Sequence, residues 1–181
     1  MQGAALMTDL LRPFPESYWV LPGRFLAGEY PVRSFTDEQA RLRLDILLEA
    51  QIDTFVDLTQ PGELQPYISL LQEQALAYER RVNYQRYPIL DLGLPARAEM
   101  ITALNGLDDA LSNGHKVYLH CWGGIGRTGT TVGCYLVRHG KTGQQALDQI
   151  AEWWQDVPKR QFYPRSPQTD AQVQFILDWK E

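Results

Sequence analysis

A short glycine-rich loop between a strand and a helix constrains the fold of this chain more than any other segment. The strand is predicted over residues 116–120, the loop follows from Cys121, and a helix is predicted from Thr130 to His139. Backbone amides at a helix N-terminus have no partner inside the helix. Together with the helix dipole, they attract an anion of the size of phosphate. The loop is therefore predicted to bind an anion.

A cysteine and an arginine stand at the two ends of this loop. Cys121 lies in the field of the helix N-terminus, where a thiol loses its proton readily, and the thiolate is the nucleophilic form of sulfur. Arg127 carries a planar guanidinium that can grip two oxygens of a phosphoryl group. An inert glycine turn with a buried cysteine is the alternative, but it does not call for an arginine facing the thiol. The combination favours chemistry on a phosphoryl group.

The loop residues between them are small or apolar, and we predict that their backbone binds the phosphate. The predicted phosphate-binding residues are Trp122, Gly123, Gly124, Ile125, Gly126 and Arg127. Glycines let the backbone approach an anion closely. A dinucleotide-binding loop also matches the glycine spacing, but a helix follows it where that motif needs a second strand. A nucleotide P-loop would need lysine in place of Arg127.

Length, composition and charge are those of an ordinary globular protein. The chain has 181 residues, of which 44% are hydrophobic and 22% charged, and it carries a formal net charge of −5. We expect one domain over residues 1–181, with residues 1–17 as a loosely ordered extension. The negative charge argues against nucleic acid or an anionic membrane as partner. No signal peptide or membrane helix is predicted, and two cysteines fit a reducing cytoplasm. No cofactor or metal site is expected, and a monomer is favoured.

Alternating strand and helix patterns predict an α/β fold. We expect a central, mostly parallel sheet of four to five strands with helices on both faces. The predicted strands are 18–21, 24–27, 54–58, 84–89 and 116–120. The predicted helices are 36–50, 64–77, 96–112, 130–139, 143–156 and 166–180, the last with Ser166 as N-cap. The aromatic pairs Trp153-Trp154 and Phe162-Tyr163 are predicted to lie in the core.

The segment from His120 to Gly129 resembles the signature of the cysteine-dependent protein tyrosine phosphatases. The short chain is similar to their compact dual-specificity branch over roughly residues 18–179. Residues 88–95 resemble the mobile loop that carries the general acid of this family. Residues 168–172 resemble the glutamine motif that positions water in the larger tyrosine phosphatases, which compact members often lack.

The resemblance implies a catalytic role for three residues. Cys121 would attack phosphorus and form a phosphocysteine, and Arg127 would hold the phosphoryl oxygens. Asp91 would donate a proton to the leaving group. The alternatives are that Asp91 is an ordinary turn aspartate, or that Asp57 is the acid.

Four further residues are predicted to support the site. His120 either orients the loop or is a buried core histidine. Thr128 either donates its hydroxyl to the sulfur or caps the following helix. Gln168 would position the attacking water, with Gln172 as a substitute, unless both are solvated positions on the last helix.

The resemblance implies hydrolysis of phosphotyrosine in a phosphorylated protein or peptide, either alone or together with phosphoserine and phosphothreonine. An inositol-phosphate or phosphoinositide phosphatase is the first alternative, but relatives of that type carry lysines inside the loop, and residues 122–126 contain none. A phosphoprotein-binding module without catalysis is the second, although such proteins usually lose the cysteine or the arginine. Lys159, Arg160 and Arg165 would either recognise acidic residues beside the phosphate or form a solvated face. Cys134 would be a redox partner of Cys121 only if the two thiols lie within disulfide reach.

Overall fold

The computed structural model describes residues 11–32 and 36–181, and in these ranges it contains five strands and six α-helices. The strands are β1 (Ser17–Leu21), β2 (Phe25–Gly28), β3 (Thr54–Asp57), β4 (Asn83–Arg86) and β5 (Val117–His120). The helices are α1 (Asp37–Glu49), α2 (Ile68–Ala77), α3 (Arg97–Ser112), α4 (Gly126–Arg138), α5 (Gly143–Trp154) and α6 (Asp170–Leu177). A 3₁₀ turn, Pro158–Gln161, lies between α5 and α6.

The five strands form one sheet in the order β1-β2-β5-β3-β4. The pair β1 and β2 is antiparallel, whereas the pairs β2/β5, β5/β3 and β3/β4 are parallel. The expected α/β fold with a mostly parallel sheet is therefore confirmed. The central strand, β5, is buried at every position, as a strand covered on both faces requires.

Two apolar cores lie on the two faces of the sheet, because successive side chains of a strand point to opposite sides. Val117 and Leu119 of β5 belong to one core, together with residues of α3, α4, α5 and α6. Tyr118 belongs to the other core, with residues of α1 and α2. Helices thus cover both faces, as the sequence pattern predicts.

The parallel register places the functional loop at one edge of the sheet. The last residues of β2, β5 and β3, which are Gly28, His120 and Asp57, lie side by side. The carboxyl ends of parallel strands form the edge where open α/β sheets bind ligands. The loop that starts at Cys121 therefore opens onto this edge.

The first residues of three helices differ by four positions from those predicted. Helix α4 begins at Gly126, four residues earlier than expected, because the glycines after Ile125 are helical rather than part of the loop. Helix α2 begins at Ile68, beyond Pro66, and not at Leu64. The prediction of a last helix from Ser166 was wrong.

Helix α6 has Thr169 as its N-cap, with Gln172 completing a capping box. The Ser166 hydroxyl instead donates to the carbonyl oxygen of Ile125, at 2.8 Å. Ser166, which the sequence predicts as a helix cap, thus makes a tertiary contact with the loop instead. By contrast, the predicted capping box of Thr36 and Gln39 on α1 is present.

The described ranges contain no helix with both the length and the apolar character that a bilayer crossing requires. Within the same ranges, no three His, Cys, Asp or Glu side chains are grouped as metal ligands. Of the expected N-terminal extension, residues 1–10 lie outside the described residues. Phe14 is buried, with the Arg43 guanidinium 3.9 Å from its ring centroid.

Replacing a core leucine on α3 should destabilise the fold. Leu107 is fully buried, and Leu107→Ala is expected to lower the free energy of unfolding by about 2–5 kcal/mol, since it removes apolar contacts and leaves a cavity. Leu76→Ala on α2 is the control, because Leu76 is 76% exposed and the change in helix propensity is the same. Urea denaturation of both variants measures the difference, and equal stabilities would contradict this account of the core.

Candidate active site

Donors outside the loop hold three of its carbonyl groups. The Tyr30 amide donates to Trp122 O at 2.9 Å, Lys159 Nζ to Gly123 O at 2.7 Å, and the Ser166 hydroxyl to Ile125 O at 2.8 Å. A trans peptide unit directs its N–H opposite to its C=O. The amides that follow these carbonyls therefore turn toward the centre of the loop.

The amides of residues 122–127 have no acceptor among the described residues. Gly124 has a φ of 72°, in the left-handed region that favours glycine. A Cβ atom there would lie 2.5 Å from the carbonyl carbon of Gly28, at the end of β2. The loop thus packs against the sheet and presents a ring of donors suited to an oxyanion.

The Cys121 thiol lies at the floor of this loop. It is buried, and the Thr128 hydroxyl donates a hydrogen bond to its Sγ atom at 3.1 Å. The alternative role of Thr128 as a helix cap is not observed, because the N-cap position of α4 is Ile125. The structure thus brings Thr128 to the sulfur, as one of the two sequence readings expects.

The Arg127 guanidinium is buried and held by Glu63. Its two terminal nitrogens donate to the two Glu63 carboxylate oxygens at 2.7 and 2.8 Å, and Nη1 also donates to the carbonyl oxygen of Ile89 at 3.1 Å. The buried Nε has no hydrogen-bond partner among the described residues. Burial would raise the pKa of Glu63, but its hydrogen bonds from Arg127 and from the Gln60 amide hold the pKa below its ordinary value. A charge-assisted pair of this kind fixes the plane of the guanidinium.

Sequence reasoning missed Glu63. It follows Pro61-Gly62 in the loop after β3, and nothing in its sequence neighbourhood marks a partner that lies 64 residues away. The only local signal is a carboxylate in a Pro-Gly turn, beyond the carboxyl end of a predicted strand.

Asp91 lies at the same site, on the turn after Ile89. Its Oδ1 is 3.1 Å from Nη2 of Arg127, and its side chain is half exposed. The rival, Asp57, is fully buried and accepts hydrogen bonds from Thr59 and Tyr84. Burial alone would raise the pKa of Asp57, but these hydrogen bonds from Tyr84 and Thr59 hold it below its ordinary value. Asp57 therefore stays ionised beneath the site, whereas Asp91 is the carboxyl group at its surface.

His120 is a buried link under the loop. Its Nε2 is 2.6 Å from the Tyr67 hydroxyl, and its Nδ1 is 3.3 Å from the carbonyl oxygen of Cys121. Because a carbonyl only accepts, Nδ1 carries the hydrogen. Burial lowers the pKa of His120, so the imidazole is neutral at pH 7. His120 is thus both a buried core residue and a support of the loop, although the sequence predicts these two roles as alternatives.

The two glutamines occupy different places. Gln168 lies ahead of α6 and lines the cavity above Cys121. Gln172 is fully buried: its Oε1 accepts from the amides of Gln168 and Thr169, and its Nε2 donates to the carbonyl oxygen of Gly93 at 3.3 Å. The reading of Gln172 as a solvated position is wrong, because this side chain joins α6 to the Asp91 loop.

Lys159 brings a cation to the loop from the 3₁₀ turn. Besides Gly123 O, its Nζ contacts Glu29 Oε2 at 2.5 Å, and the buried Glu29 also pairs with Arg43 at 3.0 Å. Of its two basic neighbours, Arg165 pairs with Asp170, and Arg160 is exposed. The absence of lysine within the loop sequence therefore does not mean that the site lacks a lysine.

A cavity of about 230 Å³ opens above the sulfur. It is lined by Asp91, Leu92, Cys121, Trp122, Gly123, Ile125, Gly126, Arg127, Lys159, Tyr163 and Gln168.

The prediction that Phe162-Tyr163 lies in the core was wrong, since both side chains are exposed. Of the other aromatic pair, Trp154 is buried and Trp153 is partly buried against the core. Cys134 lies in the core, where burial raises the pKa of its thiol, and both cysteines are free.

Comparisons with known proteins give the same family as the loop does. The family model described as "Polymorphic toxin system, DSP-PTPase phosphatase" matches residues 32–141, more than half of the chain. Protein 067L of Invertebrate iridescent virus 3, named for tyrosine phosphatase activity, is 37% identical over 95 residues, which are 50% of this chain and 36% of that protein. Cyclin-dependent kinase inhibitor 3 of Sus scrofa is 33% identical over 104 residues, 55% of this chain and 47% of that protein. The chain spans less than half the length of both curated relatives.

Three solved structures share the fold. The crystal structure of Tk-PTP in the active form has a TM-score of 0.67 and 22% identity, over 90% of this chain and 95% of that one. Kinase associated phosphatase, KAP, has a TM-score of 0.68 and 21% identity, over 84% and 83%. PTPMT1 in complex with PI(5)P has a TM-score of 0.65 and 17% identity, over 90% and 93%.

Removing the Lys159 ammonium should weaken oxyanion binding at the loop. Lys159→Met keeps the apolar stem but loses the hydrogen bond to Gly123 O, so the amide of Gly124 is no longer directed inward. We expect the dissociation constant for orthovanadate to rise about tenfold, since a charge-assisted hydrogen bond is lost. Titration calorimetry measures the constant.

Arg160→Met is the matched control, because it removes the same charge from an exposed neighbouring position. It should leave the vanadate affinity within about twofold of the original. If both variants bind equally weakly, long-range attraction rather than the bond to Gly123 accounts for the effect.

Proposed function

This chain belongs to the DSP-PTPase phosphatase family, and from that premise we propose that it hydrolyses phosphate monoesters of phosphotyrosine in proteins or peptides. The observation that carries the proposal is the meeting of Cys121, Arg127 and Asp91 at one cavity beneath a ring of inward-facing amides. A binding module needs the amides and the cation, but it has no use for a nucleophile and a surface carboxyl group beside them. The hydrogen bond that the Thr128 hydroxyl donates to Sγ of Cys121 also favours catalysis.

In the first step the Cys121 thiolate attacks phosphorus. An S–P bond forms, the P–O bond to the ester oxygen breaks, and protonated Asp91 transfers its proton to that oxygen. The phosphoryl oxygens receive hydrogen bonds from the loop amides and from Arg127, whose Nε is free to donate. For Nη2 to bind a phosphoryl oxygen as well, the substrate displaces Asp91 from its contact with Arg127.

In the second step water attacks the phosphocysteine. The new P–O bond forms, the S–P bond breaks, and the Asp91 carboxylate takes the proton from water. Thr128 stabilises the departing thiolate through its hydroxyl. Gln168, which lines the cavity, is the side chain we assign to hold this water. The sum of the steps consumes one water and releases the alcohol and inorganic phosphate.

A phosphoinositide or inositol-phosphate substrate is the second candidate. Two observations favour it: PTPMT1, a structural neighbour, is crystallised with PI(5)P, and Lys159 adds a cation at the cavity. The engagement of that lysine by Glu29 and by the carbonyl oxygen of Gly123 weighs against it, since two of the three ammonium donors are already used. We keep protein phosphotyrosine as the proposed substrate, and the cytoplasm as the proposed compartment.

Replacing the nucleophile should separate turnover from binding. Cys121→Ser is expected to lower turnover of phenyl phosphate by at least about a thousandfold, because a serine hydroxyl is not ionised at neutral pH. Binding of a phosphotyrosine peptide should persist, since the amides and Arg127 remain. Cys134→Ser is the control and should keep its activity. Undiminished turnover by Cys121→Ser would sink the assignment.

The role of Asp91 predicts a change in the pH dependence. A general acid must be protonated to act, so its contribution is present at low pH and is lost as pH rises. Asp91→Asn should lower the turnover of phenyl phosphate roughly a hundredfold and remove the decline of rate with rising pH. The effect should be smaller for p-nitrophenyl phosphate, whose leaving group needs less protonation.

Asp109→Asn, on the exposed side of α3, is the control and should change neither rate nor profile. If Asp91→Asn keeps the original alkaline decline, another group donates the proton.

A further inference from the structure

Three exposed apolar side chains line the cavity and a fourth follows next to them in the chain, and we name Leu92, Trp122, Phe162 and Tyr163 the mouth patch. Leu92, Trp122 and Tyr163 line the cavity, and Phe162 is the sequence neighbour of Tyr163. All four are exposed, Phe162 to 81%. Exposed apolar groups gathered at a site mark a surface that is covered in a complex. Because three of them share the cavity with Cys121, a substrate held on the loop is the molecule that covers them.

The backbone of Leu92 supports a functional reading of this patch. Its φ is 57°, in the left-handed region, and it is the third residue of a turn in which the Gly93 amide donates to Leu90 O at 2.9 Å. Glycine or asparagine usually occupies that position, because the left-handed conformation brings Cβ close to the following carbonyl oxygen. Such strain clusters at ligand-binding sites. An exposed leucine in a strained conformation contributes little to folding, and its place at the cavity is consistent with a contact to a ligand.

The charges at the entrance do not favour a highly anionic ligand. Lys159 contacts Glu29, and Arg165 contacts Asp170 at 2.5 Å. Arg160 is exposed and does not line the cavity, whereas Asp91 lies at its edge. Apart from Arg127, the cations near the loop therefore have carboxylate partners or stand away from the cavity. The entrance suits one phosphate group flanked by apolar atoms.

We propose that the mouth patch is a specificity surface that receives an apolar side chain adjacent to the phosphorylated tyrosine of a protein substrate. This inference rests on the proposed phosphatase activity and narrows its substrate class. The tyrosine ring enters between Leu92, Trp122 and Tyr163, while its apolar neighbour in the peptide covers Phe162.

Two phosphotyrosine peptides that differ only beside the phosphotyrosine test this surface. One peptide carries leucine on both sides and the other carries aspartate. The protein should hydrolyse the leucine peptide with a kcat/KM about tenfold or more above that of the aspartate peptide, the size expected for burying much of one leucine side chain. Equal values, or a preference for aspartate, would overturn the proposal.

Variants of the patch locate the preference. Leu92→Asn removes the apolar group yet suits the left-handed backbone, so it should fold. It should reduce the ratio of the two kcat/KM values to below about threefold, and Phe162→Ser should reduce it as well. Leu76→Asn, at an exposed leucine on α2, is the control and should keep the full ratio. A ratio unchanged in both patch variants would remove the patch from substrate recognition.

Two further arms separate this inference from the proposed function. Faster hydrolysis of a myo-inositol polyphosphate than of either peptide would overturn the substrate class while leaving the phosphatase chemistry in place. Titration calorimetry of both peptides with Cys121→Ser measures the preference as a ratio of dissociation constants, without turnover. If the unaltered protein hydrolyses neither phenyl phosphate nor the peptides, but Cys121→Ser still prefers the leucine peptide, the proposed catalysis fails and the recognition surface stands.

Discussion

The rest of the site depends on three hydrogen bonds that hold carbonyl groups of the loop pointing away from its centre. Tyr30, Lys159 and Ser166 hold the carbonyls of Trp122, Gly123 and Ile125, and peptide planarity then turns the intervening amides inward. Each donor comes from a different part of the chain. The ring of inward-facing amides is consequently a product of the folded core, because donors of the protein hold it in place. Such preorganisation is the condition for strong electrostatic stabilisation of an oxyanion.

A second layer fixes the charged groups around that ring. Glu63 sets the plane of Arg127, and Tyr67 supports neutral His120 beneath Cys121. Gln172 ties α6 to the Asp91 loop through Gly93. These contacts leave Asp91 as the half-exposed member of the site. Among the charged groups of the site, the carboxyl group that we propose as the general acid is therefore the most exposed to solvent.

The fold class, the loop and its central residues could be predicted because their signals are local. Alternating strand and helix patterns define the sheet, and the Cys121-to-Arg127 segment carries its chemistry in consecutive residues. Helix boundaries were less well predicted where tertiary contacts compete with local preference. Ser166 has the residue type of an N-cap, but it bonds to Ile125 instead. Phe162-Tyr163 has the composition of a core pair, but its position beside the cavity leaves it exposed.

The amino-acid sequence by itself determined that this chain adopts an α/β fold. It also determined that a thiol and a guanidinium lie at the two ends of one glycine-rich loop, which is a pattern suited to phosphate. Only the tertiary structure decided that Glu63 holds Arg127, that Lys159 reaches Gly123, and that Asp91 rather than Asp57 stands at the cavity. The physical reason is the range of the interactions. Periodicity and loop motifs act between neighbours in the chain, whereas ion pairs and burial depend on side chains that only folding brings together.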